Sequence, residues 1–366
     1  MTPSDTHQPR RRWYVVALKR ELGRKPKAVQ LLDLRLVVYR DRGGQARAHV
    51  DRCPHRNVPL SGGRCLKDDT LECPYHGWRF SPSGMCIEIP SLVGDPKVTH
   101  RVATYATRED EHFVWVCPDD EGREGLTQPL VVTEADSVEY STLTRAVVFE
   151  AGMHAVIENA LDVPHTSILH RGLFRTGERH RVQVVMRRYR ERAEAEFIGE
   201  PPPQGIVARL LGLGGGQSSV VQHWDRFFVP GVLQVEYRLG TKTHFLITGF
   251  CSPEGSQRTR LFALACIKTP FWSWVNRVLL WMIEPIAMRL FHQDAEILAR
   301  QAETIEHFGG ERFMSTEVDV LGAAVTRLLK EARHREIAES DLTLDGPCPA
   351  DPEEVPREVV RLELDA

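Results

Sequence analysis

The chain has 366 residues, 42% of them hydrophobic, and its 47 basic and 50 acidic residues leave a formal net charge of −3. That length and apolar content support two packed domains rather than disorder. The balanced charge offers no footprint for nucleic acid and no basic asymmetry directed at a membrane, so partners must be argued from sites.

Residues 1–12 are expected to be a flexible terminus. Arg10, Arg11 and Arg12 precede an apolar run, but that run lasts only from Trp13 to Leu18 before Lys19, Arg20 and Glu21. It is too short for the apolar core of an export signal and suits an opening strand, which makes the cytoplasm the expected address. From 13 to 120, short alternating or β-branched runs such as "VQLLDLRLVVYRD" and "HFVWVCP" lie between Gly, Pro and Asp turns. That pattern predicts an all-β domain. The polar segment "DDEGREGLTQP" marks its end.

Residues 121–340 read differently. A strand ("YSTLTRAVVFE") is followed by a helical stretch near 152–170, strands around 181–199, 218–229, 231–250 and 258–268, then long helical patterns. Together with the first domain this predicts an α+β protein, its second domain an antiparallel sheet flanked by helices on one face. The stretch "FWSWVNRVLLWMIEPIAMRLF" is interrupted by Asn276, Arg277, Glu284, Pro285 and Arg289 and reads as a buried helix, not a membrane span. "GLGGG" at 212–216 follows an apolar stretch instead of opening a helix, so it reads as a loop. Residues 341–366, acidic and broken by prolines, are expected to wrap the surface as a tail.

Eight cysteines occur without a convincing export signal, which favours reduced thiols and ligands over a disulfide framework. Cys65, Cys86, Cys117, Cys251, Cys266 and Cys348 read as small buried or partly buried residues. The other two stand in boxes of mixed type, Cys53-Pro54-His55 and Cys73-Pro74-Tyr75-His76. Structural zinc usually draws like ligands from each box. A box offering one thiolate and one imidazole instead suits two sulfide-bridged irons, one taking both thiolates and the other both imidazoles, which is a Rieske-type [2Fe–2S] centre.

A second constellation runs from Glu158 to His170. Glu158, Asp162 and His165 are spaced i+4 and i+3, on one face of a regular helix, whereas His170 falls off that face unless the helix breaks, and Pro164 supplies a breaker. Two histidines need a third ligand, and a carboxylate would complete the facial triad that leaves open positions on non-haem Fe(II). Asp294, between Leu290, Phe291, Ile297 and Leu298 at helical spacing, would be a costly unpaired charge without a metal. Glu284 has similar apolar neighbours and stays as the rival, while Glu296 faces the other way and reads as solvated.

The flanks "CPHRN…LSGG" and "CPYHGWRF", the string "ENALDVPHTSILH" and the later "FHQDAEIL" resemble the α subunits of Rieske non-haem iron oxygenases, on their monooxygenase-like branch. Val58 and Tyr75 occupy the places where respiratory Rieske proteins carry extra cysteines. The resemblance implies that Cys53, His55, Cys73 and His76 hold the cluster and that His165, His170 and Asp294 hold the mononuclear iron. It also implies that Asp162 bridges a cluster histidine and an iron histidine across neighbouring subunits of a head-to-tail homotrimer, with Glu158 and Asn159 behind the ligands.

No flavin or nicotinamide domain is legible, so electrons from NAD(P)H would arrive through a separate reductase, with or without a ferredoxin. O2 and a small organic molecule would be the substrates. The runs "VVQHWDRFFV", "LQVEYRL" and "THFLITGF" suggest an apolar, ring-containing molecule, hydroxylated, dealkylated or otherwise oxidised, and core packing explains the same residues. Arg52, Arg56, Arg64, Lys67 and Arg79 surround the first boxes and could dock an acidic ferredoxin or form an ordinary solvated face. Two other readings are a Rieske electron carrier without an oxygenase site and a zinc-binding interaction module.

Overall fold

The computed structural model describes residues 8–94, 99–119, 123, 125, 127–170, 181–200, 221–239, 242–268, 273–339 and 355–365. The "GLGGG" segment, Cys348 and most of the acidic tail lie outside the described residues.

The first domain is built on a six-stranded sheet of β1 (Tyr14–Leu18), β2 (Lys27–Leu31), β3 (Leu34–Arg40), β4 (Ala46–Val50), β9 (Thr104–Glu109) and β10 (Phe113–Cys117), in the order β1-β10-β9-β4-β3-β2. A small sheet of β5 (Arg64–Cys65), β6 (Leu71–Glu72), β7 (Arg79–Phe80) and β8 (Cys86–Glu88) carries the cysteine boxes. Strand β10, "FVWVC", is buried throughout because both of its faces are covered. Val114 and Val116 enter the domain's own core. Phe113, Trp115 and Cys117 enter a second core shared with the other domain.

That other domain is an eight-stranded antiparallel sheet of β11 (Tyr140–Phe149), β12 (Arg181–Arg188), β13 (Arg192–Ile198), β14 (Val221–Phe228), β15 (Val232–Leu239), β16 (Lys242–Pro253), β17 (Thr259–Lys268) and β18 (Glu358–Asp365). Its order is β11-β17-β16-β15-β14-β13-β12-β18. The stretches expected as single strands at 181–199 and 231–250 are each two strands, the first pair closed by the turn in which Tyr189 N–H donates to Arg192 O at 2.8 Å. The α-helices described are α1 (Met153–Ala160), α2 (His165–Ile168), α3 (Ser273–His307) and α4 (Gly322–Glu339), beside three short 3-10 turns at Lys19–Glu21, Leu60–Gly62 and Thr133–Asp136. Residues of α1, α3 and α4 pack on one sheet face around Phe149, Phe227, Leu233 and Leu261. The opposite face, through Leu246, Phe250, Phe262 and Leu264, receives the first domain.

Three expectations need correcting. Within 1–12, Arg10 and Arg11 donate their backbone N–H groups to Glu336 at 2.7 and 3.0 Å, and Arg12 is buried against Glu191, so the described part of this terminus is anchored to α4. Helix α3 is not wholly buried: Ile283, Met288, Phe291 and Leu298 turn inward, while Trp281 is 72% exposed and Val278 and Met282 are exposed beside it. The end of the tail is a strand. Val360, Leu362 and Leu364 point to the core and alternate with exposed Val359, Arg361 and Glu363, so "VVRLEL" pairs along the whole of β12.

Candidate metal centres

The two boxes fold alike. Cys53 N–H donates to Val58 O at 2.9 Å and Cys73 N–H to Trp78 O at 2.8 Å, while Asn57 and Gly77 donate back to the respective cysteine carbonyls. Asn57 and Gly77 both take the left-handed conformation that such a tight loop needs, at φ 61° and 70°. At Gly77 a Cβ would also press on Pro90, 3.1 Å away. The loops bring both cysteines into one buried cluster with Leu60, Leu71 and Phe80, and set the His55 and His76 rings 4.6 Å apart. Burial pushes the Cys53 thiol up to about 11, so a thiolate there needs a cation for company. Nδ1 of His55 is buried without a hydrogen-bond partner in the protein, as befits a nitrogen that ligates a metal. The donor set therefore fits a cluster.

The second site depends on two interruptions of the helical stretch. Helix α1 ends at Ala160, and in the turn before α2 the Oδ2 of Asp162 accepts the backbone N–H of His165 at 3.2 Å. Helix α2 lasts a single turn to Ile168. The break that lets His170 face His165 thus follows Ile168, not Pro164, which instead opens α2. Nδ1 of His165 is engaged by the backbone carbonyl of Asp162, and Nδ1 of His170 lies 3.0 Å from Oε1 of Gln293. Both rings are thereby held with Nε2 free to bind a metal.

Those two Nε2 atoms lie 3.7 and 3.0 Å from Oδ1 of Asp294, which α3 brings across the sheet face. Two ligands ~2.1 Å from one ion and at right angles stand about 3 Å apart. Oδ1 of Asp294 is buried and, despite this proximity, accepts no properly directed hydrogen bond. Among the described residues His165, His170 and Asp294 are the one group of three able to hold a metal ion. The two histidines and one carboxylate suit non-haem iron with open positions.

The rival carboxylate has another partner. Glu284 receives Nε of Arg145 at 2.7 Å, so its charge is already compensated. Glu296 is exposed and pairs with Arg300, as expected of a solvated residue. Glu158 does not share a face with His165 once the helix is broken; it lies 3.7 Å from Nδ1 of His154, and a Cβ on Gly322 would strike it. Asn159 contributes its backbone carbonyl to the turn, accepting from Asp162 N–H at 3.2 Å.

Of the basic set, Arg79 is paired with Asp68 and Glu88, Arg64 with Glu72, and Arg52 with the side chain of Asn57. Gln293 had gone unnoticed in the sequence, although it directly precedes Asp294. The aromatic runs also hide a charged unit. His223 is fully buried with Nδ1 2.7 Å from Glu200 and Nε2 3.0 Å from Asp225, stacked between Phe197 and Tyr237. Nothing in the composition of those runs distinguishes it from an ordinary core histidine.

Mixed Cys/His loops that fit an iron–sulfur cluster and a His/His/Asp group that could hold a metal ion thus occur in one chain. Residues 12–106 match the Rieske [2Fe-2S] domain, and residues 149–335, just over half of the chain, match the vanillate O-demethylase oxygenase C-terminal domain. The chain belongs to the Rieske non-haem iron oxygenases. Its iron groups are a Rieske [2Fe–2S] cluster and, at a site that fits it, a mononuclear iron.

The chain is 28% identical over 305 residues to the chloroplastic protein TIC 55 of Arabidopsis thaliana, covering 80% of this chain and 53% of that one. It is 30% identical over 215 residues to the oxygenase component of dicamba O-demethylase of Stenotrophomonas maltophilia, 58% of each. With the 4beta-methylsterol monooxygenase of Methylococcus capsulatus it shares 28% over 303 residues, 75% of this chain and 76% of that one. It spans little more than half the length of the first of these relatives. The crystal structure of dicamba monooxygenase bound to dicamba has the same fold, at TM-score 0.75 and 22% identity, covering 90% of this chain and 98% of that one.

Proposed function

We propose that this protein is the terminal oxygenase component of a multicomponent system that oxidises an apolar, ring-containing small molecule with O2, a monooxygenase more readily than a dioxygenase. Cys53, His55, Cys73 and His76 hold the cluster, and His165, His170 and Asp294 hold the iron. The observation that carries this reading is the convergence of two buried or half-buried histidines on a buried carboxylate oxygen of Asp294 that otherwise has no partner.

Bound there, iron with open coordination positions supplies the activation of dioxygen. The protein's part is positional. Asp162 and Gln293 fix the two imidazoles, Asp294 compensates charge, and the helix-covered sheet face keeps the site largely dry. Electrons come from NAD(P)H through a separate reductase or ferredoxin. His76 is exposed at its loop tip and the Asp162 side chain is about one-third exposed, which supports a bridge between neighbouring subunits of a head-to-tail homotrimer. No described helix is long and apolar enough to cross a membrane; the cytoplasmic address is part of the proposal, since several relatives are chloroplastic. Names such as dicamba O-demethylase and chloroacetanilide N-alkylformylase support an aromatic substrate and a dealkylation outcome.

The test counts metal first. Protein isolated with about three irons per two sulfides supports the oxygenase, whereas iron and sulfide in equal amount would leave an electron carrier. A turnover screen with a reductase, NADH and apolar aromatic candidates, read by product mass, then separates oxygen gain from loss of an alkyl group.

A further inference from the structure

The two histidines of the first centre have unlike surroundings. His76 stands exposed beside Tyr75, ring centroids 3.8 Å apart, at the tip of its loop. His55 lies parallel to Trp78 within 6°, at 4.7 Å between centroids. Trp78 is buried, 8% exposed, and its ring in turn meets that of His100 at 5.1 Å. His100 is only half-buried, so this row of rings reaches solvent at a second place.

We propose that His100 and Trp78 are the electron inlet, through which a donor protein reduces the cluster on its His55 side, leaving His76 as the outlet. The inference rests on the ligand assignment made above. An outlet covered by the next subunit is closed to a donor, so donor and acceptor need separate approaches. Electron tunnelling weakens steeply with every gap in the packing between donor and acceptor, and Trp78, parallel to His55 and tilted by 45° against His100 at 5.1 Å, bridges the space between the two histidines. The donor loses one electron and the cluster gains it; no bond forms or breaks, and the rings serve as a medium without being oxidised themselves. Arg101, next to His100, and Arg56, next to His55, are exposed and form no ion pair among the described residues. This uncompensated positive charge suits an acidic donor such as a ferredoxin.

Packing is the plainer role for Trp78, which lies in one buried cluster with Cys53, Cys73, Leu60 and Phe80. The two roles separate in a stopped-flow experiment on the iron-loaded protein, following the bleaching of the cluster's visible absorption. The probe is an acidic plant-type [2Fe–2S] ferredoxin kept reduced by its own reductase and NADPH, with dithionite as the small-molecule control. His100→Ala should slow reduction by ferredoxin at least about tenfold, with the dithionite rate and the cluster's midpoint potential unchanged. Trp78→Leu should do the same and Trp78→Phe should restore most of the rate. If Trp78→Leu fails to hold a cluster, His100→Ala decides alone. A wild-type ferredoxin rate in His100→Ala would overturn the inlet, as would a wild-type protein reducible by dithionite and not by this ferredoxin. A wild-type protein without a cluster spectrum would instead overturn the ligand assignment on which the inlet stands.

Discussion

At Asp162 one side chain has two tasks that its surroundings separate. It accepts the backbone N–H of His165 ahead of α2, and its carboxylate lies 3.3 Å from Nδ1 of the same residue while remaining about one-third exposed. Losing one such hydrogen bond costs about 1 kcal/mol, too little to unfold a domain of this size. Asp162→Ala is therefore expected to fold and keep both metal centres but to lose turnover, because it removes the proposed bridge. Normal product formation at full iron and sulfide content would rule that bridge out.

His223 shows what burial does to charge. Burial alone would lower its pKa, but the carboxylates of Asp225 and Glu200 outweigh it and raise the value to about 10. A histidine whose folded pKa is raised contributes stability that is fully present below its unfolded value near 6.5 and is lost as pH rises through the folded value. The protein should thus lose stability between about pH 7 and pH 10, read as a falling midpoint in urea. His223→Gln should be less stable at pH 7 with a flatter profile, since two buried carboxylates then lose the His223 charge. A variant retaining the wild-type slope would show that another group titrates.

Among the elements, β18 and the α1–α2 break are most instructive. The alternation in "VVRLEL" is legible, but it follows prolines and acidic residues whose composition suggests a tail, and only the free edge of β12 gives that strand a partner. Leu364 is buried on the helix-covered face with Val360 and Leu362 packed against the same core. Removing residues 355–366 should expose the β12 edge and those contacts, lowering the melting temperature and promoting self-association by strand pairing. Unchanged melting and a monodisperse elution profile would contradict this. In the α1–α2 region the residue types of the iron site are visible in sequence, yet the helix that places Glu158, Asp162 and His165 on one face does not persist. Asp162 captures a backbone N–H at the break, and that local bond decides where the helix restarts.

Over the whole molecule the two domains share a core. Phe250 of the eight-stranded sheet meets Phe113 and Trp115 edge to face at 5.0 Å each, and Ser252 Oγ donates to Val15 O at 2.6 Å. Truncating Phe250 to alanine in such a setting costs about 3–5 kcal/mol. If the shared core couples the domains, Phe250→Ala should lower both the loss of the cluster's colour and the unfolding of the sheet domain by similar amounts in a thermal scan. A shift confined to one signal would mean that the domains unfold independently.

Sequence alone singled out the candidate donor residues. Mixed Cys/His boxes, a His pair after a helix breaker and an aspartate among apolar neighbours carry their chemistry in residue type and spacing, because ligation depends on identity before geometry. The order of strand segments was readable for a similar reason, since period-two patterning is local. Tertiary structure decided what locality cannot. It brought Asp294 to the two histidines and paired Glu284 with Arg145, distant in the chain. It placed Gln293 on His170, paired the tail with β12 and set Trp78 between His55 and His100. Each is a contact between segments whose spacing in the sequence says nothing about their distance in space.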